Sequence, residues 1–174
     1  MRPRSILYIL IIALLTHCTN HDRKEQSNKW YLETKTEILK QSNLNADSTS
    51  QTFNEDKSYL TEDYYSFGHK FLTKGYNNTI PRLEIHYSKD GNFELRRELC
   101  DNGNLGFEGI TYKEHFYGLS TWRRCNGTLD QKGVRFNDQK IGIWKEKALW
   151  GQYKNTDYGN YNKFDSMPTI KNYR

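Results

Sequence analysis

The sequence predicts a mainly β fold, an antiparallel meander of β-hairpin repeats that follows a disordered N-terminal tether. The first observation is a series of hairpin-turn dipeptides, Asp90-Gly91, Asn102-Gly103 and Asn126-Gly127. These dipeptides favour tight turns because both central residues of a type I′ turn need a positive φ. The glycines are 12 and 24 residues apart, so a 12-residue lattice predicts further turns near positions 115, 139 and 151.

The second observation is the apolar pattern between these turns. Two residues after each lattice point the side chain is apolar or aromatic, as it is at Phe93, Leu105, Tyr117, Leu129, Ile141 and Tyr153. Four residues after it the pattern continues at Leu95, Phe107, Leu119 and Ile143 and fails at Gln131 and Asn155. Since side chains alternate along a strand, the residues at these two positions share one face of their strand. The pattern predicts strands of about eight residues joined by tight turns.

Two turns together form a repeating unit of 24 residues. Asn102-Gly103, Leu105, Gly109, Tyr112 and Gly118 are followed 24 residues later by Asn126-Gly127, Leu129, Gly133, Phe136 and Gly142. Residues 90–153 resemble the MORN-type repeat, and more closely the repeat of proteins named YwqK-family antitoxins. The best match runs from Gly127 to Lys145 and includes Gly142-Ile-Trp144-Lys145. The resemblance implies a sheet of stacked hairpins and an antitoxin-like or immunity-like role in protein binding.

The N-terminus carries an export signal. An apolar run, Ile6–Leu15, follows Arg2 and Arg4, and at about 1.5 Å per residue it is too short to span a bilayer as a helix. The segment Leu15-Thr16-His17-Cys18 resembles the lipobox of bacterial lipoproteins, with His17 where a small residue is usual. The resemblance implies cleavage before Cys18, a lipid on that cysteine, and a membrane-anchored protein of the bacterial cell envelope that faces the periplasm or the cell surface. An ordinary secretory signal or an uncleaved anchor is the alternative.

Composition divides the chain into four parts. We predict a signal peptide at 1–17, a lipidated tether and polar linker at 18–58, a β-repeat domain at 59–166 and a C-terminal tail at 167–174. Within the second part, residues 29–40 form a candidate short amphipathic helix. Residues 41–58 are rich in Ser, Asn, Thr, Gln and acids, which is typical of disorder.

The sequence offers little catalytic chemistry. Removal of residues 1–17, with two arginines and no acids, lowers the net charge from +5 to +3, which is mild and forms no concentrated basic patch, and this argues against nucleic acid as a partner. No catalytic motif, cofactor fingerprint or metal-ligand spacing is present. Glu84 and His86 would share a strand face, which suits an acid–base pair, although a surface pair is the simpler interpretation.

The two cysteines of the repeat domain are predicted to be reduced. Cys100 and Cys125 end strands that are separated by one further strand, a spacing of about 9.5 Å. A disulfide needs Cα atoms within about 7 Å.

Two functional classes remain open. The first is a membrane-tethered, non-enzymatic module that binds a protein partner through an aromatic sheet. The second is a lipoprotein that binds or processes glycans. Aromatic side chains often dominate binding interfaces. The candidate binding residues are therefore Trp122, Trp144, Tyr112, Phe136 and Tyr117.

Overall fold

The sheet is the frame of this protein. A computed structural model describes residues 23–170, in which ten strands form one antiparallel sheet in chain order. The strands are β1 Ser48–Phe53, β2 Tyr59–Ser66, β3 His69–Asn77, β4 Ile80–Tyr87, β5 Phe93–Leu99, β6 Leu105–Tyr112, β7 His115–Arg123, β8 Leu129–Phe136, β9 Gln139–Lys147 and β10 Tyr153–Asp157. A helix, α1, spans 23–41, and a short 3-10 helix spans Tyr161–Ser166. The predicted mainly β meander is confirmed.

The turns lie where the 12-residue lattice places them. Gly91, Gly103, Gly127 and Gly151 all adopt a positive φ between strands. At the two lattice points without glycine, the pairs Lys113-Glu114 and Asn137-Asp138 take the same left-handed conformation. Asparagine and aspartate tolerate that conformation better than most residues, whereas Lys113-Glu114 depends on the strands at either side to hold it.

The polar segment before the repeat domain is more ordered than its composition indicates. Residues 48–53, predicted to belong to a disordered linker, form β1 and pair with β2. Every side chain of β1 is exposed, so the strand is held by its backbone hydrogen bonds and leaves no apolar pattern in the sequence. The predicted helix at 29–40 exists but is longer, and it includes part of the segment assigned to the tether.

Helix α1 covers one face of the sheet, which we call the helix face. Tyr31 and Ile38 are buried against Phe93, Leu95 and Ile110. This packing buries the apolar stripe of the helix on the centre of the sheet, which is the main reason that so irregular a pattern forms a stable helix.

The indole of Trp30 fixes the crossing point of α1 on the sheet. It lies directly over Gly118, where a Cβ atom would come closer than 3.0 Å to the ring. Its Nε1 donates a hydrogen bond of 2.7 Å to the Pro168 carbonyl. A glycine at position 118 therefore serves both the bulged strand, with a φ of +71°, and the close approach of the helix.

The C-terminal segment packs on the same face. Phe164 of the 3-10 helix is buried against Val134 and Ile141. Ile170 packs against the core under α1. Residues 167–170, predicted from the sequence to belong to a C-terminal tail, thus include side chains and carbonyls that contact α1 and the core.

The structure joins Cys100 and Cys125 in a disulfide, with Cα atoms 5.5 Å apart, so the prediction of reduced cysteines is wrong. Both cysteines lie in turns beyond the strand ends, where the ideal strand spacing does not apply. Asn102 and Asn104 each donate a hydrogen bond of 2.7 Å to the Cys125 carbonyl and draw the two turns together. The strand between the two cysteines has a glycine, Gly106, next to the disulfide. A Cβ atom at this position would lie 3.5 Å from the Cys100 sulfur, so the absence of a side chain leaves room for the bridge.

Candidate binding surface

The second face of the sheet carries a continuous row of side chains, one from each of five neighbouring strands. The register pairs Phe107 with Trp122, Trp122 with Gln131, Gln131 with Glu146, and Glu146 with Lys154. Directly paired residues of an antiparallel sheet point to the same side. Both helical segments of residues 23–170 pack on the helix face, so we call this second side, defined by these five residues, the open face.

The first half of the open face is aromatic. The rings of Phe107 and Trp122 have centroids 4.7 Å apart, and Trp144 follows at 5.9 Å from Trp122. The Arg135 guanidinium lies 5.1 Å above Trp122 and 5.5 Å above Trp144. Burial lowers the pKa of Arg135 despite the nearby Asp138 carboxylate, and the buried Nε of this arginine has no hydrogen-bond partner. Its contact with the two indoles is thus mainly a cation–π contact.

The second half of the open face is polar and concave. A cleft of about 370 Å³ is lined by Asp130, Gln131, Glu146, Lys147, Ala148, Lys154 and Thr156. Lys140 donates to Glu146 at 2.6 Å and to Gln131 at 3.0 Å, and the Tyr158 hydroxyl lies 3.2 Å from Glu146. The hydrogen bond from Lys140 holds the pKa of Glu146 below its ordinary value although burial opposes it. The cleft therefore presents an ionised carboxylate beside an amide and amines.

The structure places Trp144 in the packing of the sheet and not on its surface. Its side chain is fully buried and lies over Gly133, and its Nε1 donates a hydrogen bond of 3.0 Å to the Val134 carbonyl. Trp122 is half-buried on the open face. Of these two predicted binding residues, only Trp122 exposes part of its side chain, so only Trp122 can contact a partner.

The remaining three predicted residues lie on the opposite side. Tyr112, Tyr117 and Phe136 continue an aromatic ladder on the helix face, with centroids 5.9 Å and 5.1 Å apart. The five predicted residues therefore do not form one surface. Tyr117 and Trp122 are five positions apart on β7, so alternation along the strand itself places them on opposite faces, and a choice of candidates by residue type did not follow it.

Sequence reasoning missed the polar members of the row, Gln131, Glu146 and Lys154. One signal was available, because Gln131 breaks the apolar rule four residues after a lattice point. A polar residue at a position that is apolar in the other repeats indicates that this side chain is not needed for packing in the core.

A second charged cluster lies beneath α1. Glu84 and His86 share a face as predicted, and His86 Nε2 lies 3.3 Å from Glu84 outside hydrogen-bond geometry. His86 is only 5% exposed and its Nδ1 lies 2.7 Å from the Ser42 hydroxyl, so the pair is not on the surface as predicted. The neighbouring His86 and Arg97 hold the pKa of Glu84 at about 2, against the effect of burial.

Glu108 connects the same cluster to the helix. It accepts hydrogen bonds from the Tyr31 hydroxyl at 2.5 Å, from Lys35 at 2.6 Å and from Arg97 at 3.0 Å. Burial alone would raise the pKa of Glu108, but these donors outweigh it and the pKa is lowered. Glu108 thus ties two side chains of α1 to the sheet, which helps to fix where this helix docks.

Residues 23–170 contain no group of three or more His, Cys, Asp or Glu side chains placed to hold a metal ion. No helix in this part of the chain is both long and apolar enough to cross a bilayer. Cys18, the predicted lipidation site, lies outside the described residues.

Comparison with known proteins gives no relative. No family model, no curated protein and no solved structure matches the chain.

Proposed function

We propose that the protein is a non-enzymatic binding module that contacts a protein partner through the open face of its sheet. The observation that carries the proposal is the row from Phe107 to Lys154. It combines a half-exposed tryptophan with a fixed cation, and it continues into a polar cleft. Aromatic anchors beside ordered polar groups are typical of protein-binding surfaces.

We propose further that the domain is exported and anchored through a lipid on Cys18. The disulfide between Cys100 and Cys125 supports export, because such bonds persist in oxidising compartments. Helix α1 is already formed at residue 23, so only four residues separate it from Cys18. At full extension that distance is about 18 Å. The anchor would hold the domain close to the membrane rather than at the end of a long tether.

The experiment is a co-purification from detergent-solubilised cells with a variant of the open face. Gln131→Arg places a bulky cation in the middle of the row, and we expect it to abolish recovery of the partner. Gln139→Arg is the matched control, because the same substitution falls on an exposed residue at the far end of β9. Equal recovery with wild type and Gln131→Arg would contradict the proposal, provided that both variants melt at the wild-type temperature.

Glycan binding is the second candidate, and the cleft is the observation that favours it. Sugars stack on half-exposed aromatic rings, here Trp122, and are hydrogen-bonded by carboxylates, here Asp130 and Glu146. A glycan-binding screen with the wild-type protein and Glu146→Gln separates the two candidates. A glycan that binds the wild type and not Glu146→Gln would replace a protein as the ligand of the open face.

A further inference from the structure

The turn between β9 and β10 differs in chemistry from two turns of the same geometry. The three turns are 100–104, 124–128 and 148–152. In each, the N–H of the first residue donates a hydrogen bond to the carbonyl of the fifth residue, at 2.9, 2.9 and 2.8 Å. In each turn the glycine's N–H also donates to the first carbonyl, at 2.9, 2.8 and 3.0 Å. The backbone frame is therefore the same in all three.

In the first two turns, the side chain of the third residue accepts a hydrogen bond from the backbone N–H of the fifth residue. Asn102 accepts a hydrogen bond from the Asn104 N–H at 3.1 Å, and Asn126 accepts one from the Thr128 N–H at 3.0 Å. In the last turn this position is Trp150, which has no acceptor. The turn at 148–152 therefore lacks the side-chain hydrogen bond that the other two turns have.

No packing replaces the lost bond. Leu149 is 100% exposed and Trp150 is 93% exposed at the tip of the hairpin. A leucine and a tryptophan this exposed bury almost no apolar area within the domain, so both side chains are available to a ligand outside it.

We propose that Leu149 and Trp150 insert into the interfacial region of an anionic lipid bilayer. Tryptophan favours the boundary between headgroups and acyl chains, and a leucine beside it adds apolar surface at the same depth. The turn projects from the end of the sheet, so its tip can enter the headgroup region of a bilayer without contact from the rest of the domain.

The charges around the tip fit the same occupant. Within residues 23–170, Lys147 and Lys154 have no ion-pair partner, whereas the two carboxylates that line the same cleft are each paired with another cation. Those pairs are Asp130 with Arg124 and Glu146 with Lys140. Lysines beside an apolar tip attract the tip to anionic headgroups.

The area of the tip also argues for lipid rather than a second copy of this chain. Two side chains bury far less than the roughly 1,200 Å² that a stable protein interface needs. A bilayer requires no matching surface around the tip.

The test follows the depth of Trp150 itself. The full chain is mixed with vesicles of equal parts phosphatidylglycerol and phosphatidylcholine that carry bromine on their acyl chains, and tryptophan fluorescence is measured. Bromine quenches only rings that enter the bilayer. Trp144 is buried, and the other two of the four tryptophans are half-buried within the domain, so we expect the quenched component to come from Trp150.

The decisive variant is Trp150→Asn, which restores the asparagine of the other two turns and should leave the fold intact. We expect it to lose the quenched component. Phe67→Asn is the matched control, because Phe67 is 89% exposed in a turn at the opposite edge of the sheet and also has a positive φ. It should quench like the wild type.

Three results would overturn the proposal. They are absence of quenching in the wild type, equal quenching in Trp150→Asn, and loss of a captured protein by Trp150→Asn without any quenching. The last would assign the tip to a protein. Gln131→Arg leaves Leu149, Trp150, Lys147 and Lys154 in place, so it should leave the quenching unchanged even if it abolishes partner binding.

Discussion

Gly133 is the position where a single added methyl group tests the packing of the open face most sharply. A Cβ atom at Gly133 would come closer than 3.0 Å to three atoms of the Trp144 ring, Cγ, Cδ2 and Cε2. Non-bonded carbon atoms prefer about 3.5–4.0 Å, so the ring would have to move by more than about 1 Å. It has little room to do so, since it is fully buried and its Nε1 is bonded to Val134. We expect Gly133→Ala to lower the free energy of unfolding by about 1–3 kcal/mol, the usual cost of overpacking.

The sign of this effect should reverse when the indole is removed. Trp144→Ala alone should cost about 3–5 kcal/mol, because it leaves a large cavity. In that background Gly133→Ala meets empty space, and Gly133 has no positive φ to oppose an alanine. The substitution should then stabilise the protein by about 0.4–1 kcal/mol by restricting the unfolded chain.

The assay is urea unfolding of the wild type, both single variants and the double variant, with the disulfide intact. The double-mutant cycle should give a coupling energy of about 2 kcal/mol or more. Gly106→Ala serves as the control, because its nearest neighbours would be 3.4 Å and 3.5 Å away and it should be tolerated in either background. An equal cost of Gly133→Ala with and without Trp144 would refute the contact on which the reasoning depends.

Thiol labelling of the unfolded, unreduced protein should modify neither Cys100 nor Cys125, and replacing both with Ser should lower stability by about 2–4 kcal/mol; labelling of both would contradict the bridge. Because the pKa of Glu84 is lowered from 4.5 to about 2, its stabilisation is complete above pH 4.5 and is lost as the pH falls towards 2, so Glu84→Gln should flatten the acid limb of a stability–pH curve in that window. Trp150→Asn should raise the melting temperature by adding a turn hydrogen bond worth about 0.5–1.5 kcal/mol, and a lower melting temperature would show that the tryptophan stabilises the fold. Cys18→Ser should release the protein from the membrane fraction, and a variant that stays there with unchanged mass would rule out the lipid.

The sequence was sufficient for the meander because its signals are local. A glycine that needs a positive φ fixes a turn without reference to the rest of the chain, and the spacing of Gly91, Gly103 and Gly127 fixes the strand length between turns. The same spacing placed the turn at 113–114, where no glycine is present. Strand β1 gave no such signal, since its pairing uses only backbone groups.

The candidate site depended on contacts that no local pattern records. Alternation places Trp122 and Tyr117, five positions apart on β7, on opposite sides of the sheet, but only the packing of α1 decides which of those sides is covered. The distance between Cys100 and Cys125 depended likewise on how two turns bend towards each other.

The sequence by itself determined the type of fold, the turn positions and the strand lengths, because backbone conformation at glycine, asparagine and aspartate is decided within a few residues. Only the tertiary structure decided which face α1 covers and which aromatic rings remain exposed. Those outcomes depend on long-range packing, as where Trp30 meets Gly118 and Tyr31 meets Glu108. Each such contact joins residues more than 70 positions apart, and its free energy exists only when the sheet is already assembled.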